Sequence, residues 1–91
     1  MYAAIVSLSI DPAQAPAAAA AFTSDILPQV RAAPGLVAGY WIDPADGRGL
    51  GFLVFDTEAN ARKSTPPNAN WTGAPGVRIH GTEFRRVAVQ I

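Results

Sequence analysis

Cysteine is missing from this 91-residue chain, which excludes a disulfide framework, a thiolate nucleophile and a zinc–thiolate centre. Charge is scarce as well. Asp, Glu, Lys and Arg make up 15% of the residues, against roughly 25% in an average globular chain. The seven cations offset the seven anions and lie scattered between Arg31 and Arg86, so the basic stripe that a nucleic acid needs is lacking and no such partner is expected. Histidine occurs once, at His80, and with no cysteine beside it no metal set is expected. No apolar run is long enough for a bilayer: the stretch from Ala17 to Phe22 is far short of the roughly 20 residues required, and no membrane partner is expected. Met1 to Ile10 has the apolarity of a secretory leader and Ala13-Gln14-Ala15 imitates a cleavage site, yet no Lys or Arg precedes Arg31. A soluble, cytoplasmic protein is therefore expected.

What is abundant is apolar. Hydrophobic residues reach 49%, and the length fits one domain over residues 1–91. Six Arg against one Lys, with eighteen Ala, eight Gly and eight Pro, is the usage of G/C-rich codons and points to a bacterial source.

Ala4, Val6, Leu8 and Ile10 alternate with Ile5, Ser7 and Ser9, the period of a strand. Asp11-Pro12 reads as an N-cap followed by proline at the first helical position. Ala15, Ala18, Ala19, Phe22, Ile26, Val30 and Ala33 then form one helical stripe that stops at Pro34-Gly35. Pro16 and Pro28 interrupt it, which predicts a loose start and a kink near Leu27. The runs Leu36 to Asp43 and Leu50 to Asp56 form a hairpin about a turn containing Pro44 and Gly47. Asp56 or Thr57 caps a short second helix from Glu58, which Thr65-Pro66-Pro67 ends. Residues 64–76 are rich in Pro, Asn and Gly and read as a loop, a candidate lid. Val77 to Ile91 is a final strand with a bulge or bend expected at Gly81.

This order, βαββαβ, predicts an α+β, ferredoxin-like subunit: a four-stranded antiparallel sheet with both helices on one face. The hairpin is apolar on both sides, with Leu36, Ala38, Tyr40 and Ile42 alternating with Val37, Gly39 and Trp41, and Leu50, Phe52 and Val54 alternating with Gly51, Leu53 and Phe55. A wet face would carry polar residues, and a patch of this size exceeds what monomers usually expose. A second copy of the sheet is the simplest cover and gives a two-fold homodimer. At roughly 25 cal/mol per Å², about 600 Å² of apolar surface per subunit is of order 15 kcal/mol before association costs.

The segment Ala33-Pro34-Gly35-Leu36-Val37-Ala38-Gly39-Tyr40 and the run Gly49-Leu50-Gly51-Phe52-Leu53-Val54-Phe55-Asp56-Thr57-Glu58-Ala59 resemble the dimeric α+β barrel superfamily. The likeness is to the antibiotic biosynthesis monooxygenases and the stress-responsive barrel proteins. It implies a ligand cavity between helices and sheet, and a cofactor-independent oxidation of an electron-rich aromatic; no cofactor is expected. Haem-degrading relatives add an Asn on the first strand, where this chain has Ser7, together with a Trp and a His.

Candidate catalytic residues are His80, the one side chain that titrates near neutrality, and Trp71, able to close over an aromatic ligand. Ser7, Asn60 and Arg86 are candidate ligand-binding residues. Each also has a plain structural reading. His80 between Arg78 and Thr82 can be a half-exposed strand residue, and Trp71 a loop anchor. Asn60, like Asn68 and Asn70, suits a helix start or turn, and Arg85-Arg86 suits a solvated strand edge. Asp43 and Asp46 suit a turn, and Gly47, Gly49 and Gly51 sit in a hairpin, the wrong place for a phosphate loop. Two functions from different classes follow: a barrel binding or oxidising a small aromatic or apolar ligand, and a non-catalytic barrel dimer with an assembly or stress-response role.

Overall fold

The computed structural model describes residues 1–66, 68 and 74–91. Strand β1 (Tyr2–Ile10) is the centre of an α+β fold, pairing antiparallel with β3 (Arg48–Phe55) on one side and β4 (Val77–Arg86) on the other. Strand β2 (Leu36–Ala45) completes the sheet beside β3, in the order β2-β3-β1-β4. This open, fully antiparallel sheet is compatible with a ferredoxin-like fold.

The hairpin is tighter than the sequence suggests. Asp46 and Gly47 alone form the turn, both with positive φ (54° and 75°), the conformation that matches the twist of the flanking strands. Pro44 therefore falls inside β2, which tolerates it as an edge strand because no ladder donor is needed on the outer side. Ile10 N–H donates to the Gly47 carbonyl at 2.7 Å, tying the end of β1 to the turn.

The first helical stretch changes pitch three times. A 3-10 turn (Pro12–Gln14) is capped by Asp11, whose carboxylate accepts from the Ala13 N–H at 3.0 Å. It leads into α1 (Ala15–Ala21), a π-helical turn (Phe22–Ile26) and α2 (Leu27–Arg31). The kink expected near Leu27 is thus a widened turn: Leu27 N–H donates to the Phe22 carbonyl, five residues back. Pro28 explains it, having no N–H for the Ser24 carbonyl and a ring that crowds that carbonyl. Helix α3 (Glu58–Lys63) starts at Thr57, whose hydroxyl accepts from the Asn60 N–H at 3.1 Å.

Both helical stretches cover one sheet face. Ile26 and Val30 from the first and Ala61 from α3 pack with Ala4, Val6, Leu53 and Phe55. Three register shifts adjust the sheet, one of them between Ile42 and Ala45, where Pro44 sits. Leu36 pairs with Phe55 while Ala38 pairs with Val54, so Val37 is the extra residue and Leu36 shares the core side with Trp41, not the side of Tyr40. On β4, Ser7 pairs with Gly81 and Leu8 with Ile79, which makes His80 the extra residue, one position before the expected Gly81. The regular pairing of β4 ends at Arg86, short of the fifteen-residue strand expected. On the face away from the helices Tyr40 is 61% exposed, Ile42 54%, Leu50 43% and Phe52 37%.

Candidate functional site

A cavity of about 410 Å³ opens between the first helical stretch and the sheet. Its walls include Leu8 and Ile79 from the sheet, Ala18 from α1, and Phe22 and Ile26 from the π turn, with Trp41 of β2 facing them. The Phe22 and Trp41 rings are 4.9 Å apart between centroids and inclined at 60°, a tilted contact of the kind that favours aromatic pairs. The widened turn places Phe22, Thr23 and Ile26 together on the lining, and π turns of this kind recur at functional sites.

Polar groups on the described lining are the Thr23 hydroxyl, the Asp43 carboxylate and the Trp41 indole N–H. The Thr23 hydroxyl donates to the Ala19 carbonyl at 3.1 Å, which leaves its oxygen lone pairs available as acceptors. Asp43 is exposed. The arrangement can enclose a small apolar or aromatic body and offer it these acceptors at one side. Sequence reasoning did not single out Phe22, Thr23 or Asp43 as ligand contacts. The signal was present in Pro28, whose effect on the preceding turn brings Phe22 and Thr23 to the wall.

The residues singled out in the sequence lie in different places. His80 is exposed, and its Nε2 shares a 2.9 Å hydrogen bond with the Ser9 hydroxyl. Alternation along β1 sets Ser9 and Ser7 on the face opposite Leu8 and Ile10, so His80 belongs to the open face of the sheet. Ser7 is exposed there, opposite Leu50 and Gly81. Asn60 holds the start of α3: its side-chain amide donates to the Asp56 carboxylate at 2.8 Å. Arg86 pairs with Tyr2, at the end of β1 remote from the cavity-lining Leu8 and Ile10. Ser7 and His80 share one face, while Asn60 and Arg86 belong near the opposite end of the sheet. None of these four is on the described cavity wall. Trp71, with residues 67, 69, 70, 72 and 73 of the candidate lid, lies outside the described residues. Asn68 is described, and its side-chain amide donates to the Arg62 carbonyl at 2.8 Å, a turn contact.

Among the described residues no group of three or more His, Cys, Asp or Glu is placed to hold a metal ion, and no helix is long and apolar enough to cross a membrane. The chain matches no family model, no curated protein and no solved structure.

Proposed function

We propose that this chain is a ferredoxin-like subunit of a homodimeric barrel that binds a small aromatic or apolar ligand between its sheet and its first helical stretch. The observation that carries this reading is the 410 Å³ hollow lined by Phe22, Trp41, Leu8, Ile26 and Ile79. A void of that size forfeits the packing contacts its walls would otherwise make, and it falls within the range of small-molecule sites. The strand order supports the ferredoxin-like part of the reading. The exposed Tyr40, Ile42, Leu50 and Phe52 support the dimer, since a second sheet would remove them from water.

Binding has more support than oxidation. A cofactor-independent monooxygenase needs donors to orient the substrate anion, whereas on the described wall the Thr23 hydroxyl proton is donated to the Ala19 carbonyl and Asp43 is itself a carboxylate. His80 sits on the other sheet face beside Ser9, so it favours neither base catalysis in the cavity nor haem ligation there. The second reading, a non-catalytic dimer serving assembly or stress response, draws on the open apolar face alone.

The test is titration with anthrone-like phenols and with haem, following Trp41 emission in a Trp71→Phe background together with oxygen uptake. The expected result is saturable quenching by the phenols without oxygen consumption. Ala18→Phe, which places a ring in the hollow, should abolish the quenching while the far-ultraviolet spectrum is retained. A flat response to every compound would overturn ligand binding and leave the assembly role in front. Oxygen uptake that depends on Thr23 and Asp43 would restore the oxygenase.

A further inference from the structure

We propose that the open face of the sheet carries an oxyanion site, built from Arg48, Arg78, His80 and Ser9, that takes a phosphate monoester. None of its four residues lines the cavity, although Ile42 and Leu50 beside it also border the cavity mouth.

The register builds it. Ser9 is paired with Arg48 on β3 and with Arg78 on β4, so the three residues form one row across the sheet. Directly opposed residues have Cβ atoms about 4.5–5.5 Å apart on the same face, which places a guanidinium stem on each side of the serine hydroxyl. The bulge at His80 adds the fourth group, bringing Nε2 to 2.9 Å from Ser9 Oγ. The register therefore sets one Arg stem on each side of a hydroxyl to which the His80 imidazole is hydrogen-bonded.

Among the described residues neither Arg48 nor Arg78 is in an ion pair. The two ion pairs among the described residues, Arg62 with Glu58 and Arg85 with Glu83, lie elsewhere. The two Arg residues flank the β1 serine from the strands on either side, two strand spacings or roughly 10 Å apart, a separation that an anion between them can bridge. A phosphate monoester near neutrality carries a charge of about −1.5 to −2 and three acceptor oxygens, which matches two Arg forks and a hydroxyl.

The neighbouring row supplies the rest of the ligand's surroundings. It runs Ile42, Leu50, Ser7, Gly81, and a Cβ built on Gly81 would meet no heavy atom within 4 Å. There is space beside the basic row and apolar surface next to it, which favours an ester with an aryl or alkyl group over free phosphate. In a face-to-face dimer the basic row ends the apolar patch, at the rim, where polar groups are found.

The experiment is an NMR titration at constant ionic strength with inorganic phosphate and with phenyl phosphate, using chloride as the control anion. The expected result is saturating shifts at Ser9, Arg78, His80 and Gly81, a rise in the His80 titration midpoint, and tighter binding of phenyl phosphate. Arg48→Gln and Arg78→Gln should each weaken binding about tenfold or more, and Arg85→Gln should leave it unchanged. Shifts that never saturate, that spread equally to Arg85 and Arg86, or that survive both substitutions would overturn the site. Cosedimentation with phosphatidylcholine vesicles containing phosphatidic acid, lost in the two variants, would support the site with a lipid headgroup as its source. Saturable phenyl phosphate binding without cosedimentation would support it with a soluble ester.

Discussion

At Gly35 two structural demands meet on one residue. Its φ of +76° lies in the turn that follows the end of α2 at Arg31 and leads into β2, and its carbonyl accepts the Asp56 N–H at 2.9 Å, joining that turn to the end of β3. A β-carbon there would run into the Asp56 carboxylate and the Asn60 amide that together start α3. Gly35→Ala is therefore expected to cost at least about 1–2 kcal/mol from the backbone alone, with the crowding added to it. A urea midpoint unchanged from wild type would show that the contact between this turn and the start of α3 is soft. The sequence placed the helix stop at Pro34-Gly35, whereas α2 ends at Arg31 and those two residues form the turn beyond it; nor was it legible that Asp56 and Asn60 close over Gly35, since that depends on two segments about twenty residues apart meeting in space. The same contact gives Asn60 a structural task, so its type alone did not identify a ligand residue.

Among the elements, α3 depends most on its own side chains, having only six residues to nucleate from. Arg62 is its hinge to the sheet: Nε donates to the Glu58 carboxylate at 2.8 Å and the guanidinium lies 4.4 Å over the Phe84 ring of β4. The hydrogen bond from Arg62 holds the Glu58 carboxyl below its ordinary value of 4.5, with a smaller contribution from Tyr2 and against a small opposing effect of desolvation. Because the folded value is lowered, the ionised form is favoured by folding. The resulting stabilisation is present above pH 4.5 and disappears as pH falls through the folded value. Urea unfolding of Glu58→Gln should accordingly differ from wild type at pH 7, and the difference should shrink as pH is lowered below 4.5. A constant difference across that range would assign the effect to packing. The pair is solvent-exposed, so the difference at pH 7 should be small.

The first helical stretch teaches a different lesson at this scale. Its apolar stripe and both prolines were readable, but a stripe at three- and four-residue spacing assumes constant pitch. The π turn breaks that assumption between Phe22 and Ile26, and this is the segment that lines the cavity. In β4 the expected bulge appeared one residue early, because the pairing of Leu8 with Ile79, not the absence of a side chain at Gly81, sets the slip. That one-residue difference brings His80 to Ser9.

For the whole molecule the decisive feature is the uncovered sheet face. Tyr40 and Phe52 are cross-strand partners at its middle, 61% and 37% exposed, with Ile5 next in the row. If a second copy covers them, Tyr40→Lys combined with Phe52→Lys should shift sedimentation from dimer to monomer while the circular dichroism spectrum is kept. Wild-type protein that sediments as a folded monomer at micromolar concentration would remove the barrel reading, though not the cavity or the basic row, which belong to a single chain.

The local rules determined much of this protein from sequence: the centre strand by its alternation, the hairpin by two apolar runs about a glycine turn, α3 by a cap at Asp56 or Thr57, and the imbalance between apolar strand faces and short helices. Each of these is fixed by neighbours within a few residues or by a simple count of surfaces. Tertiary structure alone decided which side chains share a site. Strand register set Arg48 and Arg78 on either side of Ser9, the bulge turned His80 to that same face, and the missing N–H of Pro28 acted through packing to open a hollow beside Phe22. Such placements depend on pairings between distant segments, where a slip of one residue carries a side chain to the opposite face of the sheet.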